Sequence, residues 1–188
     1  MKVICYLFVY LKVCSSFQSP DKLFELIIKA NSPKQVVLVI THFNTPKNEN
    51  MMQYIPTINP INPNRFKRIS SVFGERFHPI SGVKKQHLGI DISADNGLAV
   101  HASASGTVTK IIFSSKGYGN YITIEHRYGF VTRYAHLSEI LVKQNQKVVK
   151  GEIIGSVGNS GASTGDHLHY EIIKDKKHMD PYPLITIK

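Results

Sequence analysis

The sequence predicts an all-β fold, an antiparallel sheet of short strands preceded by a short N-terminal extension. Beyond residue 66, six β-type runs follow one another between turns, and they read LAVHAS, GTVTKIIF, NYITIEH, FVTRYAH, EIIGSV and HLHYEII. Strands at intervals of about 8–12 residues are typical of an antiparallel sandwich or barrel rather than of alternating βα units. No amphipathic helical pattern of ten residues interrupts these runs, so we expect residues 66–188 to form one β domain.

Residues 1–19 have the layout of a secretory signal or N-terminal anchor. A lysine precedes the apolar residues 3–11, and small residues follow them. The apolar run is too short to span a bilayer. We therefore predict a location in the cell envelope, periplasmic or secreted, with transient membrane association through the N-terminus. A buried N-terminal strand is the alternative.

Residues 20–53 form a short region to which the sequence assigns no function. The segment PDKLFELIIKA predicts a helix capped by Asp21, and the apolar run QVVLVI predicts a buried strand. Residues 54–65, YIPTINPINPNR, contain three prolines, which remove backbone donors and keep the preceding residues extended. We interpret them as a linker or an extended strap rather than a core element.

Charge and cysteine content restrict the partner and the type of metal site. The 23 Lys and Arg against 13 Asp and Glu leave a net charge of +10, which suits nucleic acid, an anionic cell wall, or simply a soluble surface. No basic and aromatic signature of a nucleic-acid-binding strand is present, so we predict no nucleic-acid partner. The only cysteines are Cys5 and Cys14. A metal in the β domain must therefore use His, Asp or Glu.

The run HLHYEII contains two histidines on one face of a predicted strand. Strand alternation places His167, His169 and Glu171 on that face, and Leu168 and Tyr170 on the other. Residues at i and i+2 lie about 6–7 Å apart, so one histidine could bind a metal while the other reaches its open position. Two histidines spaced in this way, without further partners, are more often structural than metal-binding.

The segment HLGID offers His87 and Asp91 as a second candidate pair. On a straight strand they would lie about 13 Å apart, so sharing an ion requires a bend, which Gly89 permits. An exposed histidine beside a turn aspartate explains the same residues equally well.

The segment RYAHLS adds His136 at the end of a strand-like run, before a polar turn. Alternation predicts that Tyr134, His136 and Thr132 share one face. Sites collect at strand ends, but a single histidine there is more often structural.

Read together, these segments resemble the catalytic domain of lysostaphin-type (LytM-domain) zinc metalloendopeptidases. The likeness is in order and spacing, and it rests on SVFGERFHPISGVKKQHLGIDI, the turn at Gly106, YGN at 118–120, RYAHLS and GNSGASTGDHLHYE. It covers the chain from residue 66 onwards. It implies an open antiparallel β groove, the duplicated hybrid motif, and hydrolysis of peptide bonds in bacterial peptidoglycan.

By matching motif, the resemblance also implies the roles of five residues. His87, Asp91 and His169 would bind Zn²⁺, and His136 and His167 would be the catalytic pair. Three protein ligands leave a fourth position for water, as in catalytic zinc sites. There is no HExxH helix to supply a glutamate base. The two histidines would therefore orient the water and stabilise the oxyanion, with the choice of base left open.

Two other functions stay open on the sequence. The first is a noncatalytic wall-binding or hydrolase-activating domain of the same fold. The presence of all five site residues argues against it. The second is a lipoyl- or biotinyl-like carrier, suggested by KVVKGEIIGSVG, although Lys147 and Lys150 make no convincing acceptor motif. Asn145, Asp166 and the segment LAV depart from the usual family pattern, so the loops and the groove specificity are open.

The remaining histidines show no partner set in their spacing, and we expect them to be surface or packing residues. They are His42, His78, His101, His126 and His178. The resemblance places Arg76 near the groove without a role.

Overall fold

The computed structural model describes residues 20–43, 49–77 and 84–186. The predicted signal or anchor at residues 1–19, and His78, lie outside the described residues. The helices within these ranges are α1 (Pro20–Lys29), α2 (Pro33–Phe43), α3 (Glu49–Met52) and α4 (Tyr182–Ile185). None of the described helices has the length and apolar character needed to cross a membrane.

Strands are the main secondary structure of the described residues. The strands are β1 (Arg68–Ser71), β2 (Gly74–Phe77), β3 (Lys84–His87), β4 (Ile90–Ser93), β5 (Ala99–His101), β6 (Gly106–Ile112), β7 (Tyr121–Glu125), β8 (Phe130–Ala135), β9 (Glu139–Ile140), β10 (Lys147–Val148), β11 (Ile153–Ser156), β12 (His167–Lys174) and β13 (Lys177–Met179).

The strand pairs are antiparallel, which confirms the predicted fold class. The largest sheet runs β1-β4-β12-β8-β7-β6-β10, with β13 paired to β12. A three-stranded sheet has the order β5-β11-β9, and β2 pairs with β3. Strand β12 is central in the largest sheet, between β4 and β8, so its side chains meet residues from distant parts of the chain.

Strand β12 alternates between the core and the polar face, as predicted. Leu168, Tyr170 and Ile172 are fully buried in the hydrophobic core. His167 and His169 lie on the opposite face, where they line a groove. The period of two along this strand therefore separates packing residues from candidate site residues.

The predicted shared face of Tyr134 and His136 is wrong. The Tyr134 hydroxyl bonds to Ser103 and Thr132 in the core, whereas His136 lies beside His167. The backbone of His136 is left-handed, with φ at 61°. Strand β8 ends at Ala135, so alternation no longer applies and the histidine turns to the opposite side.

The N-terminal region contains two helices rather than a helix and a strand. The helix predicted over PDKLFELIIKA is present as α1, beginning at Pro20, so Asp21 lies in its first turn instead of at the cap position. The run QVVLVI lies in α2, and the predicted strand is wrong. Val36, Val39 and Ile40 are buried, a spacing that marks one helix face. A short apolar run does not distinguish a strand from a buried helix.

Residues 54–65 have no helix or strand, in agreement with a strap, but they contribute to the core. Ile55 and Ile61 are both 0% exposed and belong to the main hydrophobic cluster. The strap carbonyl of Pro60 accepts a bond from the backbone of His101. The expectation that this segment is not a core element is therefore wrong, because prolines restrict the backbone without preventing their apolar neighbours from packing.

Candidate metal centre

Three buried side chains from three strands converge at the floor of the groove. His87 ends β3, Asp91 lies in β4, and His169 lies in β12 opposite Asp91. The chain turns at Leu88 and Gly89, as the bend between His87 and Asp91 required. A Cβ at Gly89 would lie 2.2 Å from the Tyr170 carbonyl oxygen. Only glycine therefore allows this turn to pack against β12.

The ligand atoms of the three residues form a small triangle. His87 Nε2 lies 3.1 Å from Asp91 Oδ1 and 3.0 Å from His169 Nδ1, and the third side measures 2.8 Å. A tetrahedral zinc ion with bonds of about 2.0–2.2 Å separates its ligand atoms by roughly 3.3 Å. The residues are 5–8% exposed. The triangle therefore fits three ligands of one tetrahedral ion with one open position.

The hydrogen bonds behind the two histidines aim their free nitrogens at this triangle. His87 Nδ1 lies 2.7 Å from the Val72 carbonyl oxygen, which can only accept a proton. His169 Nε2 lies 3.0 Å from a carboxylate oxygen of Glu171. In the neutral rings, His87 Nε2 and His169 Nδ1 therefore carry lone pairs directed at Asp91 Oδ1. Three electron-pair donors that face one another suit a cation.

Electrostatics also favours a cation at this point. Burial raises the pKa of Asp91, but its contacts with His169 and His87 lower it much more, to well below the ordinary value. Asp91 is therefore ionised at neutral pH. Burial lowers the pKa of His169, yet the carboxylates of Asp91 and Glu171 raise it above its ordinary value overall. The shared cause is the attraction between the Asp91 carboxylate and the imidazole rings beside it, which favours the charged form of each group.

His136 and His167 form a second pair beside the triangle. Their ring centroids lie 4.7 Å apart, and His167 Nε2 lies 3.8 Å from Asp91 Oδ1. Each ring donates from Nδ1 to a backbone carbonyl, His136 to Ser160 at 2.7 Å and His167 to Gly165 at 2.8 Å. Burial lowers the pKa of His136 to about 4. His136 is thus neutral at pH 7, with Nε2 able to accept a proton.

Two interlocked glycine turns hold His136 in its left-handed conformation. Its backbone N–H donates to the Tyr118 carbonyl at 2.9 Å, and its ring is tied to Ser160. A Cβ at Gly119 would lie 2.4 Å from the Ser160 backbone, and one at Gly161 would lie 2.3 Å from the backbone of Gly119. The turns formed by YGN and GNSG therefore fix the position of His136, a role that their sequences alone did not indicate.

The structure adds three residues behind His169 that the sequence reasoning did not assign. The Glu171 carboxylate accepts from His169, from the Tyr118 hydroxyl at 2.6 Å and from Arg133 at 2.8 Å. Burial raises the pKa of Glu171, but the contacts with His169, Tyr118 and Arg133 lower it by more, so that it lies below its ordinary value. Burial, together with this carboxylate, raises the pKa of Tyr118 to about 12. The period of two in HLHYE places Glu171 on the same strand face as His169, and this is the sequence signal that could have identified Glu171 as its partner.

The site opens into a groove of about 790 Å³. All five sequence-predicted site residues line it, namely His87, Asp91, His136, His167 and His169. Lys67, just before β1, and Arg68, its first residue, line it too. The ligand and catalytic roles of the five residues remain predictions that this geometry supports. Arg76 lies in β2, paired with Lys85.

The positions that depart from the family pattern leave the cluster intact. Asn145 has φ at 67°, a left-handed conformation that asparagine tolerates better than most residues. Asp166 lines the groove and accepts a hydrogen bond from Asn96 at 2.9 Å. These differences therefore affect turns and the groove wall.

Other candidate side chains have structural partners. His101 bonds to the Gly151 carbonyl, and His178 bonds to that of Leu88. His126 lies between the Ser105 carbonyl and the Thr132 hydroxyl.

One of the two lysines considered for a carrier module is engaged in the fold. Lys150 Nζ donates to oxygens of Met52, Ile55 and Thr57. A side chain held in this way is not displayed on a hairpin tip, which argues against Lys150 as an acceptor, whereas Lys147 is exposed in β10.

Comparison with known proteins identifies similar sequences over the same part of the chain. The sequence pattern of the family described as Peptidase family M23 matches residues 85–181. An uncharacterized metalloprotease of Haemophilus influenzae is 42% identical over 125 residues, which are 66% of this chain and 26% of that protein. The DD-carboxypeptidase/endopeptidase Mpg of Neisseria gonorrhoeae is 49% identical over 113 residues, 59% of this chain and 25% of the relative.

A further relative is named for its activity on the cell wall. The peptidoglycan DD-endopeptidase ShyC of Vibrio cholerae is 39% identical over 120 residues, 63% of this chain and 28% of the relative. The chain therefore spans about a quarter of the length of these curated relatives.

Solved structures show the same fold. A zinc-containing peptidase from Vibrio cholerae has a TM-score of 0.61 at 33% identity, covering 69% of this chain and 39% of that one. The catalytic domain of lysostaphin from Staphylococcus simulans has a TM-score of 0.58 at 30% identity, covering 66% and 94% respectively. The likeness to the lysostaphin domain thus extends over nearly all of that domain.

Proposed function

The chain belongs to peptidase family M23, and on that premise we propose that it is a zinc-dependent endopeptidase that hydrolyses peptide bonds in bacterial peptidoglycan. The observation that carries the proposal is the buried triangle of His87 Nε2, Asp91 Oδ1 and His169 Nδ1. The names of similar proteins from Neisseria and Vibrio support peptide cross-links of the wall as the substrate. Such a substrate implies action in the cell envelope.

In this proposal the triangle holds Zn²⁺ and the second histidine pair moves protons. A zinc ion bound there would polarise the scissile carbonyl and bring the pKa of a water molecule toward about 7. His136 is neutral at pH 7 and tethered through Nδ1, so its Nε2 can take a proton from the water. His136 then returns this proton to the leaving amine. His167 is tethered through Nδ1 in the same way, so when its ring also carries a proton on Nε2 that N–H can donate a hydrogen bond to the oxyanion.

Replacement of the histidine pair tests the assignment. In His136→Ala and His167→Ala, release of amines from purified peptidoglycan should fall by about 10²–10⁴-fold, while metal analysis still finds one zinc per chain. His101→Ala is the matched control, because its ring bonds to the Gly151 carbonyl and does not line the groove. Full activity in either site variant would contradict the assigned roles.

The same measurements decide between the peptidase and a noncatalytic domain of this fold. A wild-type chain that purifies with zinc and releases amines supports the peptidase. Wall binding with neither zinc nor amine release would instead establish the wall-binding or activating alternative. Mass spectrometry of fragments from defined muropeptides would then identify the bond that is cut.

A further inference from the structure

Glu171 is a fully buried carboxylate placed directly behind the candidate metal ligand His169. It is 0% exposed, and it lies two positions after His169 on the same face of β12. Its side chain also touches the turn that joins β3 to β4, since a Cβ at Gly89 would lie 2.9 Å from Glu171 Cγ. Glu171 therefore contacts both chain segments that supply the triangle.

Three hydrogen bonds fix both oxygens of this carboxylate. Oε1 accepts from His169 Nε2 at 3.0 Å and from the Tyr118 hydroxyl at 2.6 Å. Oε2 accepts from Arg133 at 2.8 Å, and Arg133 is the cross-strand neighbour of Glu171 on β8. His178 Nδ1 lies farther away, 3.6 Å from Oε2. A buried carboxylate is costly unless it is paired and hydrogen-bonded, and these donors meet that need.

The position of Glu171 excludes contact with substrate. It is absent from the residues that line the groove, whereas His169 and Tyr118, which both bond to it, do line the groove. It therefore cannot serve as the general base for a peptide in the groove. Any effect on the reaction must pass through His169 or Tyr118.

Tyr118 links the carboxylate to the second histidine pair. Its hydroxyl donates to Glu171, while its carbonyl accepts from the backbone N–H of His136 at 2.9 Å. Its ring lies 4.9 Å from the Arg133 guanidinium and 5.4 Å from the His169 ring, to which it is tilted by 48°. One residue thus contacts both a candidate ligand, through its ring, and a candidate catalytic histidine, through its backbone.

We propose that Glu171 is a positioning residue that orients His169 for the metal, and that Tyr118 and Arg133 hold Glu171 in place. The inference rests on the proposed zinc peptidase function. The carboxylate keeps the proton of His169 on Nε2 and fixes the plane of the ring, so that Nδ1 presents its lone pair to the triangle. His87 Nδ1 instead meets the Val72 backbone carbonyl at 2.7 Å and, farther away at 3.4 Å, the Ser71 hydroxyl. His169 is therefore the histidine of the triangle that a buried carboxylate orients, and a substitution of that carboxylate should disturb it.

Glu171→Gln in the full chain tests the proposal through metal affinity. The amide cannot accept from His169, Tyr118 and Arg133 together, because one of its two polar groups is itself a donor. Zinc affinity, measured by competition with a chelator of known affinity, should fall about 10–100-fold. The visible absorption bands of the Co²⁺-substituted protein should also shift. Glu125→Gln is the matched control, since Glu125 is exposed at the end of β7.

The outcomes separate this inference from the proposed function. Zinc affinity and a Co²⁺ spectrum identical to wild type in Glu171→Gln would overturn the positioning role and leave the peptidase intact. A wild-type chain without zinc affinity would contradict the peptidase itself. If Glu171→Gln does not fold, Tyr118→Phe decides, because it removes one donor and keeps the ring. Weakened zinc affinity there supports the proposal, and unchanged affinity contradicts it.

Discussion

The groove floor and the strap both shield a charged group from solvent, but the two groups have different partners: Asp91 is buried and Lys150 is half-buried. At the groove floor, Asp91 faces two histidine nitrogens whose other ring atoms are already bonded, so the cluster presents lone pairs to one point. At the strap, the Lys150 ammonium donates its three N–H groups to three oxygens, those of Met52, Ile55 and Thr57. Burial of charge by itself therefore does not mark a functional site. What distinguishes the groove is that two nitrogens and one carboxylate oxygen lie within 3.1 Å of one another, an arrangement that suits a metal ion.

The largest effect that would test this contrast is expected from Asp91→Asn. The substitution keeps the shape of the side chain but removes the negative charge that the two histidines face. We expect loss of bound zinc and a fall in peptidoglycan hydrolysis of at least about 10³-fold, because the ion would lose its only anionic ligand. Metal analysis and amine release measure the two effects. Retention of zinc at one per chain would show that Asp91 is not a ligand.

At the strap, Lys150→Met should change stability without changing metal binding. Burial lowers the pKa of Lys150 to about 8, so the wild-type side chain is charged at pH 7, and its removal leaves carbonyls of the strap without their donor. We expect a loss of about 1–3 kcal/mol in the free energy of unfolding in urea, with zinc content unchanged. Lys147→Met, on the exposed side of β10, is the control and should unfold like wild type.

The pH dependence of stability should report on His126, which is close enough to Lys150 to feel its charge. Burial lowers the pKa of His126 to about 4, helped by the charge of Lys150, while its unfolded value is near 6.5. The unfolded chain therefore binds more protons between pH 6.5 and 4, and stability should fall as the pH falls through that window. Between pH 6.5 and 4, the free energy of unfolding of the wild type should fall by about 1–3 kcal/mol more than that of His126→Gln. Urea unfolding in the presence of a metal chelator measures this difference. If the free energy of unfolding changed with pH equally in both proteins, the lowered pKa of His126 would be contradicted.

The smallest expected effect belongs to a single oxygen of the strap. Thr57→Val removes one acceptor of Lys150 and leaves the carbonyls of Met52 and Ile55 in place. Unfolding in urea should show a loss of about 0.5–1.5 kcal/mol, smaller than in Lys150→Met. A loss as large as that of the lysine variant would mean that Thr57, rather than the carbonyls, provides most of the anchoring.

Much of the β domain was predictable from local patterns. The runs beyond residue 66 alternate or end in turns over enough residues for a period of two to emerge, and that period assigned the faces of β12 correctly. Glycine marked the bend between His87 and Asp91, because no other residue tolerates the Tyr170 carbonyl at that distance. The grouping of the five site residues, however, came from resemblance and not from spacing.

The sequence by itself therefore determined six of the described strands (β5–β8, β11 and β12), the alternation of β12 and the chemical types available for a metal. Tertiary structure alone decided that QVVLVI is helical, that Ile55 and Ile61 join the core, and that His136 turns away from Tyr134. It also decided that Glu171 meets Tyr118, 53 positions away in the chain. The physical reason is that local periodicity depends on neighbouring residues, whereas burial and hydrogen-bond partners depend on which distant segments the folded chain brings together.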